Sequence, residues 1–129
     1  MALLFSAKNI EKLLYMHACS IVINDNSTDI VVQKYSNRIF LIITQYKKFG
    51  TLLSVNREAA INQFNGTTFR IKTLFGKESL EIHAAARFIA DHFETEKPLL
   101  MSIGLKDYES KTLKAIVAAI KEMKAFDDN

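Results

Sequence analysis

Residues 38–55 read RIFLIITQYKKFGTLLSV, and this stretch decides the fold. Ile39, Phe40, Leu41, Ile42 and Ile43 are apolar on consecutive positions. A strand with one wet face alternates, so an unbroken apolar run implies that both faces are covered. Lys47-Lys48-Phe49-Gly50 reads as a turn, with Gly50 free to take a positive φ. Thr51 to Val55 then returns as a further strand.

Upstream, Ile21-Val22-Ile23 is β-branched, Asn24-Asp25-Asn26-Ser27 is a cluster of turn formers, and Asp29 to Tyr35 is extended again. Ser36-Asn37 makes the next turn. Residues 7–16 place Ile10, Leu13 and Leu14 at helical spacing, which predicts a short N-terminal helix. Downstream, residues 56–67 (NREAAINQFNGT) are polar and contain Gly66; they read as a loop with one helical turn at 58–61. Thr68 to Leu74 alternates, with Phe69, Ile71 and Thr73 opposite Arg70 and Lys72. Ser79 suits a helix N-cap, and Ile82, Ala86, Ile89 and Phe93 form one apolar stripe. That helix ends near Thr95, because Pro98 opens a sixth strand over Leu99 to Leu105. Ser110 caps a last helix, whose stripe is Leu113, Ile116, Val117 and Ile120.

The order is β-β-β-β-β-α-β-α after a short helix. Tight turns predict an antiparallel meander for the first four strands, within an antiparallel six-stranded sheet of the α+β class. The two main helices cover one face. The doubly apolar third strand then needs cover on the other, which predicts a dimer through the sheet face. Residues 1–17 read as an N-terminal extension and 18–126 as a single domain; 129 residues with 49% hydrophobic content, 1 Pro and 4 Gly suit one folded unit.

Charge and composition remove several function classes. The chain has 17 Lys+Arg against 14 Asp+Glu, and the signs are mixed along it. Nucleic-acid binding clusters cations on one face, so none is expected here. Lys48-Phe49-Gly50 is similar to the start of an RNA-recognition strand, but Thr51-Leu52-Leu53-Ser54-Val55 offers no aromatic platform. No run approaches the roughly 18 apolar residues of a membrane helix, so no membrane is expected. Met1 to Phe5 lacks a basic start and residues 1–17 contain no Arg, so neither a secretory signal nor a mitochondrial presequence is expected. Cys19 is the single cysteine, which suits a reducing compartment: the cytoplasm, with the nucleus as a second site.

Catalytic chemistry finds little to work with. His83 and His92, nine residues apart on one helix, point to opposite faces and cannot share a metal. His17-x-Cys19 supplies two ligands where zinc needs four, or three and water. Gly50, Gly66, Gly76 and Gly104 are too scattered for a phosphate cradle. Carboxylate pairs (Glu94/Glu96, Asp107/Glu109, Asp127/Asp128) read as surface groups. No catalytic residue, cofactor or metal is expected, and the protein is not expected to be an enzyme.

The block Thr44-Gln45-Tyr46, Lys48, then Gly50-Thr51-Leu52 resembles the proteasome assembly chaperone 3 family, in which an apolar strand runs into Thr-Gln-aromatic, a Lys-containing turn and Gly-Thr-Leu. Lys72-Thr73-Leu74-Phe75-Gly76, Ile82-His83 and Lys106-Asp107 extend the resemblance over about residues 18–122. Residues 1–17 look longer than the family's usual start, and 56–67 do not match it. The resemblance implies a non-enzymatic chaperone of 20S α-ring assembly. It would act as a heterodimer with a related chaperone 4-like subunit, or as a homodimer, and bind proteasome α subunits. The Thr44–Leu52 block reads as fold-determining. Variable loops on a rigid sheet often carry recognition, so Asn56, Arg57, Glu58, Asn62, Gln63 and Asn65 are the candidate α-subunit contacts. The competing class is a small dimeric adaptor of roadblock or profilin-like type, which also does no chemistry.

Overall fold

The computed structural model describes residues 12–58, 68–93 and 95–127, with side chains through 123. Six strands and two helices follow one another: β1 (Leu13–Ile23), β2 (Asn26–Tyr35), β3 (Ile39–Thr44), β4 (Thr51–Glu58), β5 (Thr68–Phe75), α1 (Leu80–Asp91), β6 (Leu99–Gly104) and α2 (Ser110–Asp127).

The first hairpin forms where turn chemistry demands it. Asn24 and Asp25 both hold positive φ, at 49° and 64°, as a two-residue turn between twisted strands requires. β1 therefore pairs with β2 immediately, from Ile23↔Asn26 back to Leu13↔Tyr35. The helix expected over 7–16 lies partly outside the described residues, and its described part, Leu13 to Met16, is strand. Pairing with a long β2 overrides the local helical spacing there. β1 also runs across position 17, where the sequence placed the end of the extension.

The sheet is mixed, not antiparallel, and its spatial order is β1-β2-β3-β6-β4-β5. β6 enters between β3 and β4, parallel to β3 and antiparallel to β4. The predicted four-strand meander is thus real only for β1–β2–β3. The β3–β4 connection is a bridge across the end of β6, not a hairpin. At that crossing Gly50 lies against the β6 backbone: a Cβ there would sit 2.1 Å from the Ile103 carbonyl oxygen. Gly50 is needed for closeness, and the positive φ in this connection belongs to Lys47, at 61°.

Register assigns each residue to a face. Ile30, Val32, Ile39, Leu41, Ile43, Leu53, Val55, Met101 and Ile103 point to the helical side and are buried. α1 packs over β4, β5 and β6 through Ile82, Ala85, Ala86, Ile89 and Ala90, and α2 packs over β1 and against α1. Ser110 is the first residue of α2 and not its cap; just before it, the Asp107 carboxylate accepts from the Glu109 amide at 3.0 Å and the Thr112 hydroxyl at 2.6 Å, tying the turn to the first turn of the helix.

The opposite face carries Met16, Val22, Val31, Ile42, Leu52 and Leu100, none of them buried. Part of its cover comes from the chain itself. Phe49 swings back from the β3–β4 bridge and stacks on Phe40, with ring centroids 6.5 Å apart and planes 8° from parallel, and Phe40 is 1% exposed. No helix among the described residues is long and apolar enough to cross a membrane.

Candidate functional site

Three connections meet at one end of the sheet: the β3–β4 bridge, the β5–α1 turn and the β6–α2 turn. The Thr44–Leu52 block ties them together. Gln45 is buried at their junction. Its Nε2 donates to Thr28 Oγ1 at 3.0 Å, its Oε1 accepts from the Lys106 amide at 2.7 Å, and its own amide donates to the Gly104 carbonyl at 2.8 Å. One side chain thereby joins β2 to the β6–α2 turn. A buried amide with its hydrogen bonds made is tolerated and fixes one arrangement. Thr44 Oγ1 accepts from the Tyr46 amide at 3.0 Å, and Ser102 Oγ from the Gly50 amide at 3.0 Å. Thr51 Oγ1 accepts from the Lys77 amide at 3.2 Å and donates to the Lys77 carbonyl at 3.3 Å, clamping the β5–α1 turn onto β4.

The rest of the block faces outward. Tyr46 and Phe49 are each 49% exposed, and Lys48 is exposed between them. Phe75, at the end of β5, is 76% exposed. These groups border a groove of about 480 Å³, whose floor is Gly50, Ile103 and Gly104. Lys47 is held away by Asp29 at 3.3 Å. The Ser20 hydroxyl and then Lys47 keep the Asp29 carboxyl below its ordinary range. Lys106 Nζ lies 5.8 Å from the centre of the Tyr46 ring.

The candidate contact residues separate. Asn56, Arg57 and Glu58 belong to β4, not to a loop. Asn56 bonds to Ser54 Oγ at 3.1 Å, and Glu58 pairs with Arg70 at 3.2 Å. Arg57 donates to the Phe93 carbonyl at 3.1 Å and lies over the Phe69 ring, so it fastens the end of α1 to the sheet. Asn62, Gln63 and Asn65 lie outside the described residues. Phe75 stood in the sequence only as part of the family resemblance, not as a contact, and Lys77 was not singled out; the usable signal was Leu74-Phe75, two successive large apolar residues ending an alternating strand.

Acid–base and metal chemistry find no constellation among the described residues. His83 Nε2 is 2.8 Å from both Thr73 Oγ1 and Glu78 Oε1. Hydroxyl and carboxylate share one ring nitrogen, so the carboxylate cannot orient the ring from its other side as a nucleophile relay requires. His92 Nδ1 contacts the Phe88 carbonyl at 2.8 Å. Cys19 lies against Met123, sulfur to sulfur at 3.7 Å, and burial with the nearby Glu122 and Asp29 charges pushes its thiol pKa up, which disfavours the thiolate. No three of His, Cys, Asp and Glu converge on a point that could hold a metal ion.

The described residues thus form a helix-backed mixed sheet with an apolar open face and an aromatic, lysine-bearing end. The chain belongs to the proteasome assembly chaperone 3 family, whose model matches residues 41–123. It is 32% identical to proteasome assembly chaperone 3 of Nematostella vectensis over 107 residues, covering 75% of this chain and 79% of the relative. Its identity to the Homo sapiens protein of that name is 26% over 97 residues, covering 73% and 80%. In fold it is similar to a chain in the crystal structure of a chaperone complex for yeast 20S proteasome assembly. That match has a TM-score of 0.67 at 14% identity and covers 85% of this chain and 98% of that one.

Proposed function

We propose that this chain is a chaperone that promotes assembly of the 20S proteasome core, without catalysis of its own. It pairs with a related chaperone of the assembly-chaperone-4 type, or with a second copy, and binds α subunits while the α ring forms in the cytoplasm and nucleus. The observation that carries the assembly role is family membership over residues 41–123, the stretch that builds β3 through most of α2. The open sheet face supports the pairing. Val31, Ile42, Leu52 and Leu100 form a half-exposed apolar strip there, and apolar patches rimmed by polar groups suit protein interfaces. The likeness in fold to a chain of a yeast chaperone complex supports a related protein as the partner.

The test is a pulldown of the tagged protein from its own cell extract, read by mass spectrometry. Proteasome α subunits with a chaperone-4-like protein, and without mature β subunits, are the expected eluate. An eluate lacking every proteasome subunit overturns the reading.

A further inference from the structure

We propose that the end of the sheet bearing Tyr46, Lys48, Phe49, Phe75 and Lys77 is a docking surface for an acidic protein segment carrying an apolar anchor. This rests on the α-subunit reading above, and a proteasome α subunit is the protein that supplies the segment. Three exposed aromatic rings border one groove of about 480 Å³. Exposed aromatic rings around a groove are the composition of an interface centre, where few residues carry most of the binding.

Charge selects the occupant. Lys48 and Lys77 line the groove and have no ion pair among the described residues. Lys106 adds a third ammonium over Tyr46. Glu81, in the first turn of α1, is the one carboxylate among the described residues lining the groove, and Glu78 beside it is engaged with His83. A surface with more lysines than acids around apolar rings favours an acidic partner and disfavours a basic one. The groove is also pre-organised. The Gln45, Ser102 and Thr51 hydrogen bonds hold all three connections in place before anything binds, which lowers the ordering cost of association. This end lies opposite Glu58, because β4 runs from one to the other.

The experiment uses the intact chain and purified proteasome α subunits, with affinity measured at low and high salt and association state followed by sedimentation. The variants are Lys48→Glu with Lys77→Glu, Phe75→Ser alone, and residues 59–65 exchanged for a Gly/Ser linker. In parallel, a short synthetic peptide of Asp and Glu around a single Phe is titrated into the labelled chain by NMR. The charge reversal is expected to weaken α-subunit binding about tenfold or more and to flatten its salt dependence. Phe75→Ser is expected to weaken it with the salt dependence kept. The linker exchange should change neither, and the peptide should shift Tyr46, Phe49 and Phe75 resonances. Unchanged α-subunit binding by the charge-reversed chain, or loss of its dimer in place of its partner, overturns the proposal and leaves the α-subunit reading standing. A native chain that binds the peptide at this end and no α subunit overturns that reading and keeps the acidic docking surface.

Discussion

Gln45 does more for this fold than its place in an exposed-looking sequence suggests. Gln45→Ala removes the acceptor of the Lys106 amide and the donor to the Thr28 hydroxyl, which keeps its own bond to the Asn26 carbonyl. At about 1–3 kcal/mol for one donor left without its acceptor, the expected loss is about 1–3 kcal/mol in a denaturant titration. Gly50→Ala drives a methyl group into the Ile103 carbonyl and is expected to cost about 1–3 kcal/mol, with the midpoint lowered and the slope unchanged. Asp107 adds a pH dependence. The Thr112 hydroxyl and then the Glu109 amide lower its pKa in the folded chain, so its stabilising share is complete above the unfolded value of about 3.9. That share is lost as pH falls through the depressed folded value. Asp107→Asn should therefore flatten the acid limb of a stability–pH profile and leave the limb above neutrality unchanged. The sequence showed Gln45 as a motif position of fold-determining type. It could not show that the amide reaches Thr28 and Lys106, because those contacts exist only once three separated segments meet.

At the scale of elements, local chemistry was read well and neighbours were not. The alternation of Thr68–Leu74 and the apolar run of Ile39–Ile43 became strands, and the stripe of Ile82, Ala86 and Ile89 became a helix that ends at Asp91, short of Phe93 and of the end expected near Thr95. The 24–25 turn is visible in its Asn-Asp pair. What periodicity does not contain is strand order, since short connections usually, but not always, join adjacent strands. The signal was present in β6. Leu99 to Ile103 lacks alternation as β3 does, and both strands are buried near the middle of the sheet. β4 was read three residues short because Asn56-Arg57-Glu58 is polar, and pairing with Arg70, Phe69 and Thr68 on β5 carries it on. Position in the sheet also sets local stability. Amide hydrogen exchange should be slowest in β3 and β6 and fast at the outward-facing amides of β1 and β5. Equal protection across all six strands would contradict this order.

For the molecule as a whole, the two sides of the sheet have different work. One is sealed by α1 and α2; on the other, among the described residues, Phe40 lies under Phe49 and Ser102 is buried, while Val31, Ile42, Leu52 and Leu100 stay partly exposed. Val31→Glu with Leu100→Glu places charge on side chains that are only half-buried in the single chain, so helix and strand content should persist. On the pairing proposed above, sedimentation should then shift from dimer to monomer, because a charge buried at an interface without a partner is costly. Retention of the dimer would move the pairing surface elsewhere. The sequence anticipated the need for cover from the unbroken apolar run, but not that the chain supplies part of it through one phenylalanine.

The strand at the centre of the sheet is nearly the last to be made. Until residues 99–104 leave the ribosome, β1–β2–β3 and β4–β5 are two separate ribbons with nothing to join them. A two-stranded ribbon is marginal by itself, and pairings between distant segments form slowly. A chaperone built this way carries two raw strand edges, β3 and β4, through the later part of its own synthesis, until one late segment closes them together.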